Sequence, residues 1–129
     1  GTDASVVLQG SGVTYAFLEA ALPRLDAAGV DVNLYYVASA ELFDLLAPEE
    51  QEHIFPEAHA RVAMGITGFT LPTMHRWIRT DLGRAATMYP FMKGRFLGSG
   101  QAHMVLAQAG LDGASQAEAI KAYVATLAS

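Results

Sequence analysis

Two short glycine-serine strings are the first places in this 129-residue chain where residue type and spacing could do chemistry. Gly10-Ser11-Gly12 lies between a strand-like run and a helix-like run. The backbone donors of such a turn, with the dipole of the helix behind it, can hold an anion. The dinucleotide fingerprint is incomplete, because Tyr15 stands where the third glycine belongs, and a P-loop lysine is missing. The plainer reading is a tight turn, routine where a strand meets a helix. Gly98-Ser99-Gly100 is the second string, with Lys93 and Arg95 just upstream. There a phosphate or carboxylate would meet helix donors and cationic side chains together. The plainer alternative is a capped helix beside a solvated basic loop. The candidate anion-binding set is therefore Gly10, Ser11, Gly12, Lys93, Arg95, Ser99 and Gly100.

Other chemistries find less support. His53, His59, His75 and His103 show no metal-binding spacing with a third ligand nearby. His75 and Arg79, four apart, describe a cation-flanked surface unsuited to zinc. No Gly-x-Ser-x-Gly elbow occurs, and spacing pairs neither Ser99 nor His103 with a partner, so a small hydrolase or isomerase is a minor alternative. The chain has no cysteine, which excludes disulfides, thiolate metal sites and cysteine nucleophiles. The five methionines are scattered and read as core filler. Trp77 sits among arginines, as interface aromatics often do. It could equally pack into its own domain. Trp77, Phe91 and Phe96 are the candidate interface residues. No catalytic, cofactor-binding or metal-ligating residue is assigned.

These strings are held between regular elements. Ser5 to Leu8 reads as a buried strand ended by the first glycine turn. Tyr15, Leu18, Leu22 and Leu25 recur at helical spacing, with Pro23 predicting a kink and Gly29 a C-terminal cap. Val30 to Val37 is a second strand, and Glu41 to Leu46 a short helical turn. Pro48 with Glu49 and Glu50 marks a helix start. Arg61 to Ile66 is a third strand, Leu71 to Ile78 a helix, and Ala85 to Tyr89 a fourth strand. Ser99 could cap a helix carrying Ala102, Val105, Leu106 and Ala109. Ser115 and Glu118 form a capping box opening a last helix with Ile120, Tyr123, Val124 and Leu127 inward. The alternation predicts an α/β domain: three layers, a mainly parallel sheet of about five strands, and helices on both faces. Its crossovers should be right-handed.

The length suits one domain spanning residues 1–129. A hydrophobic fraction of 52% with only 16% charged residues asks for a sheet covered on both faces, a large interface, or both. The net charge of −5 argues against nucleic acid or an anionic membrane as partner. Five of the eight basic residues, Arg76, Arg79, Arg84, Lys93 and Arg95, nevertheless fall within twenty positions. No run is long and apolar enough to span a membrane, and no signal peptide is visible. The composition is consistent with a cytoplasmic protein. Gly1 reads as a cloning remnant, and the abrupt opening on a strand reads as a domain cut from a longer chain.

The order of these segments resembles the transketolase C-terminal domain. In that family a strand ends in a Gly-Ser-containing turn, here Leu8-Gln9-Gly10-Ser11-Gly12. A helix and a second strand lead to a Glu-Leu-Phe segment, here Glu41 to Phe43. A helix and a Pro-containing loop then precede an Arg-Val strand, here Pro56 and Arg61-Val62. Gly98 to Gly110 and Ser115 to Leu127 stand where the family has a glycine-rich turn, a helix and a terminal helix. The family's acidic residue after the third strand is missing, with Ala63 to Phe69 in its place, and Thr70 to Phe96 matches poorly.

The resemblance implies a non-catalytic structural domain of a thiamine-diphosphate-dependent transferase that moves ketol units between sugar phosphates. Thiamine diphosphate and a divalent metal belong to the parent enzyme and none is bound by this domain. The family holds them with a Gly-Asp-Gly motif followed by an asparagine. The nearest string here, Leu111-Asp112-Gly113, is not that motif, and sixteen residues follow it. The implied partners are the cofactor-binding and middle domains of the parent, in a homodimer. Thiamine-dependent components of 2-oxoacid dehydrogenases and deoxyxylulose-phosphate synthases share the domain type. A free-standing anion-binding regulatory module is the alternative of another class.

Overall fold

The computed structural model describes residues 3–90 and 110–129. Three parallel strands form its centre: β1 (Ala4–Gln9), β2 (Val32–Tyr36) and β3 (Ala63–Thr67), in the order β2-β1-β3. Val6 of β1 stands opposite Leu34 on one side and Met64 on the other. The middle strand and β3 are buried, whereas the edge strand β2 exposes Leu34 and Tyr36. Near-continuous apolar runs are what a parallel sheet covered on both faces requires.

Between β1 and β2 run α1 (Ser11–Ala16), a π-helical turn (Phe17–Ala21) and α2 (Leu22–Ala27). Their buried side chains are Val13, Phe17, Ala21 and Leu25, one every fourth residue. In an α-helix, steps of four advance about 40° per step around the axis. The wider π turn takes up that drift and keeps all four on the sheet. The turn ends two residues before Pro23, the position whose missing donor predicted a kink. The expected inward set is thereby corrected: Tyr15 and Leu18 point to solvent. Gly29, at φ 73°, ends α2 as expected, with Val30 N–H donating to Leu25 O and Gly29 N–H to Asp26 O.

The β2 to β3 connection carries α3 (Ala40–Asp44), α4 (Pro48–Ile54) and α5 (Glu57–Ala60). Ser39 caps α3 by accepting from Leu42 N–H, and Glu50 reaches back to Ala47 N–H at the start of α4. Of the segment Leu71 to Ile78, only Leu71–Met74 is helical, as a 3₁₀ turn, so the expected helix to Ile78 is not formed. Pro72 supplies no donor in the first turn, Met74 O accepts from both Trp77 N–H and Ile78 N–H, and Arg84 holds the carbonyls beyond, its Nε donating to Ile78 O (2.6 Å) and its Nη2 to His75 O (3.0 Å). Arg84→Lys keeps the charge but loses the fork. It should cost about 1–2 kcal/mol in urea unfolding, with a drop in amide protection over residues 75–78.

The expected strand at Ala85 to Tyr89 is also corrected. Helix α6 (Asp81–Ala86), capped by Thr80, occupies its first half. Only Met88 pairs, as a single parallel bridge to Ile66. Pro90 follows at once and has no ladder donor to extend it. Within the described residues the sheet thus has three strands and this bridge, where about five strands were expected. The last helix, α7 (Gly113–Ala128), opens two residues before the expected capping serine. Asp112 is its cap, accepting from Ser115 N–H and from Ser115 Oγ (2.7 Å). Gln116, Ala117, Ile120 and Tyr123 are buried, and Val124 and Leu127 only partly.

Side chains alternate between two cores. Ala4, Val6, Leu8, Met64 and Ile66 face α1, α2 and α7, while Val7 and Ala63 face Phe55, Met74, Trp77 and Ile78. Helices therefore flank a parallel sheet, as the alternation predicted. Met64, Met74 and Met88 are core residues. Among the described residues no helix is long and apolar enough to cross a membrane.

Candidate functional site

In an open parallel sheet the strand order decides where a ligand can enter. The crossover from β2 to β3 passes over β1, so the connections diverge at the carboxyl ends of β1 and β3, the position favoured for ligands in such sheets. Gln9 ends β1 and Thr67 ends β3. Thr67 Oγ1 donates to Gln9 Oε1 (2.6 Å) and accepts from Phe69 N–H (2.9 Å). Thr73 Oγ1 lies 3.0 Å from the same Gln9 oxygen and 2.6 Å from Thr70 O. These hydroxyls are paired with an amide and a carbonyl, neither of which is a base that could activate them. The cluster therefore ties strand ends together and offers hydrogen bonds, not acid–base chemistry.

A crevice of about 390 Å³ opens beside it, lined by Gln9, Gly10, Ser11, Phe69 and the Tyr36–Glu41 segment. Gly10, at φ 111°, precedes α1, and its carbonyl accepts from Thr14 N–H and Thr14 Oγ1 (2.7 Å). Gly10, Ser11 and Gly12 are where an anion-binding turn would stand, with Ser11 and Gly12 exposed. The one charged side chain among the described lining residues is Glu41, a carboxylate that repels an anion. Lys93, Arg95, Ser99 and Gly100, and the interface candidates Phe91 and Phe96, lie outside the described residues.

Trp77 is 6% exposed and belongs to the second core. Its ring meets Phe43 edge-on at 5.1 Å and Phe55 at 6.1 Å, and Tyr35 packs edge-on to Phe55 at 4.8 Å. Arg76 stacks over it, 4.6 Å from the ring centroid. The four aromatic rings wall an apolar cavity of about 330 Å³, together with Val7, Leu42, Leu46, Ile54 and the Tyr36–Ser39 segment. Sequence reading singled out Trp77 alone. The partners come from β2, α3 and the end of α4, and only the crossover brings them together. Leu42, Phe43 and Leu46 at helical spacing carried the available signal.

Polar groups frame the cavity. The Tyr35 hydroxyl is hydrogen-bonded to His59 Nδ1, fastening β2 to α5, and burial holds the phenol above its ordinary pKa. Arg76 pairs with Asp44 through both guanidinium nitrogens, joining α3 to the turn that carries Trp77. His75 and Arg79 do not share a helix turn. Arg79 reaches Glu57 (2.8 Å) instead.

The hydrogen bond from Arg76 holds Asp44 below the usual carboxylate range, opposed by desolvation and assisted by the guanidinium charge. A depressed carboxylate contributes stability above its unfolded pKa and loses it as pH falls through the folded one. Asp44→Asn should therefore lower Tm at neutral pH, with the difference closing in acid below the ordinary aspartate range. A difference that persists there would assign the effect to something other than the ion pair.

Among the described residues no three His, Cys, Asp or Glu side chains gather as a metal site. No family model matches the chain, and no curated protein matches it significantly.

Proposed function

We propose that this chain is a C-terminal structural domain of a thiamine-diphosphate-dependent enzyme of transketolase type. In this reading it leaves catalysis to the cofactor-binding and middle domains, packs against them, and supports a homodimer. A sheet completed to about five strands belongs to the same reading. The observation that supports it best is the agreement between segment order and parallel topology. Leu8 to Gly12 is the end of β1 and the start of α1, Glu41 to Phe43 is α3, and Arg61-Val62 leads into β3. Phe43 of the Glu-Leu-Phe segment is packed on Trp77, which gives that segment a structural task. Large apolar side chains left in solvent, Tyr15 at 70% and Leu45 at 80%, suit a chain that buries more surface in a larger assembly. The carboxylate in the crevice weighs against the anion-binding alternative.

The test is made in the source cells. The reading expects a polypeptide well above 13.7 kDa that carries this segment at its C-terminal end. That polypeptide should transfer ketol units from a ketose phosphate only when thiamine diphosphate and a divalent metal are supplied. A native chain of this size without a cofactor-binding partner subunit would overturn the reading, as would cofactor-dependent turnover by the isolated 129 residues.

A further inference from the structure

The crevice at the carboxyl ends of the strands carries side chains that a purely structural domain leaves unused. Tyr36 (55% exposed) borders it at the end of β2, and Phe69 (58% exposed) in the turn after β3, so both rings are open to an incoming molecule. The Phe69 ring lies across Gly10, its Cε2 3.6 Å from where a Cβ on that glycine would stand. Glu41, exposed in the first turn of α3, is the one charged side chain among the described lining residues. Asp44, on the same helix, is held by Arg76, whereas Glu41 makes no ion pair among the described residues. The walls are anchored through the backbone. Gly68 N–H donates to Gln9 O (2.9 Å) and Phe69 N–H to Thr67 Oγ1 (2.9 Å), which holds the turn that carries Phe69. Val37 N–H donates to Leu8 O (2.8 Å) just beyond Tyr36, and Ser39 caps the helix that carries Glu41. Anchoring of this kind lowers the ordering cost of binding.

The face of an aromatic ring is negative and attracts a cation, and quaternary ammonium groups are the usual occupants of such sites. A carboxylate without a partner adds to the attraction, and the net charge of −5 favours the approach of cations. No lysine or arginine stands among the described lining residues to take the place. A hard metal ion asks for several oxygen ligands, and the crevice offers one carboxylate. We infer that the crevice is a binding site for a small organic ammonium ion, its alkylated nitrogen against Tyr36 and Phe69 and its charge facing Glu41. At about 390 Å³ the crevice lies at the small end of ligand pockets and takes a whole molecule of that kind. This site is independent of the transketolase reading.

The probes are choline, its uncharged carbon analogue with a tert-butyl group in place of trimethylammonium, and phosphocholine. Each is titrated against the chain while its own methyl proton resonance is followed. Choline is expected to bind saturably in the millimolar range, with its methyl signal moved upfield by the ring currents of Tyr36 and Phe69. The carbon analogue should bind at least about threefold more weakly, because it keeps the shape and loses the charge. Phosphocholine should also bind more weakly, since its phosphate meets Glu41, and this arm separates a free ammonium compound from a lipid headgroup. Glu41→Gln should weaken choline binding about two- to fivefold while leaving the upfield shift at saturation. Phe69→Leu should weaken it by a similar factor, about two- to fivefold, and also reduce that shift. Both side chains are exposed, so neither change should alter the far-UV circular dichroism of the chain. No saturable shift at tens of millimolar choline overturns the inference. So does equal binding of choline and its carbon analogue, or an affinity for choline that neither substitution changes. Phosphocholine binding more tightly than choline also overturns it, by making the occupant a lipid headgroup.

Discussion

Phe17→Ala is expected to lower the unfolding free energy by about 3–5 kcal/mol. Phe17 is fully buried on the π turn, at the centre of the core that joins β1, β3, α2 and α7. Its neighbours are held from several directions, so the vacated space cannot readily collapse. Val13 is fixed through its carbonyl, which accepts from Gln116 Nε2 (3.1 Å), and the same amide bonds Leu111 O (2.8 Å). For a domain of this length the loss corresponds to a fall in Tm of roughly 10–20 °C. Urea or thermal unfolding followed by far-UV circular dichroism measures it. Leu18→Ala is the control: Leu18 is 54% exposed, one position along the same turn, and its change should stay within about 0.5 kcal/mol. Comparable losses at both positions would contradict the four-residue spacing of the buried face.

Gly83→Ala is expected to destabilise by about 2–3 kcal/mol, although alanine is the better helix former. A Cβ at Gly83 would lie 2.2 Å from Ala63 O and 2.9 Å from both Ile78 Cγ2 and Thr80 Oγ1. The nearest atom is backbone of β3, so α6 itself must move. The movement would be felt at Thr87, whose hydroxyl donates to Gly83 O (2.7 Å) and accepts from Gly65 N–H (3.1 Å). It would reach the sheet edge next, where Met88 N–H donates to Gly65 O and Met88 O accepts from Thr67 N–H. Hydrogen exchange should therefore show protection lost at the Met88 and Thr67 amides before the amides of β1. Unchanged exchange with a lowered Tm would mean that the helix absorbs the methyl group without shifting. Gly65 is a useful contrast: its Cβ would meet the flexible end of Met74 first, at 2.5 Å, so Gly65→Ala should cost less.

Much of the fold was legible because short-range chemistry wrote it. The three strands were placed within two residues of their observed limits by apolar, β-branched runs. Gly29 and Pro48 marked helix boundaries through φ preference and a missing donor, and both mark them in the structure. The inward face of the first helix was misread because the spacing of Tyr15, Leu18 and Leu22 fits an undistorted α-helix, whereas the chain inserts a π turn. The helix from Leu71 to Ile78 and the strand from Ala85 to Tyr89 failed for a related reason. Arg84 there bonds carbonyls six and nine residues back and Thr87 bonds both Gly83 O and the Gly65 N–H of β3, contacts that hydrophobic pattern does not report.

The candidate sites divide along the same line. Gly10-Ser11-Gly12 was visible in the sequence because a tight turn between strand and helix needs those residues locally. That its crevice carries Glu41 was not visible, since thirty-one positions separate Gly10 from it. The cavity around Trp77 is more fully a tertiary product, assembled from β1, β2, α3, α4 and the turn after β3. By itself, the sequence determined the alternation of strands and helices, and with it a parallel sheet flanked by helices, because hydrophobic period, caps and breakers act over a few residues. Only the tertiary structure decided which side chains share a space, because crossover connections bring distant residues together and the burial that results has no local signature.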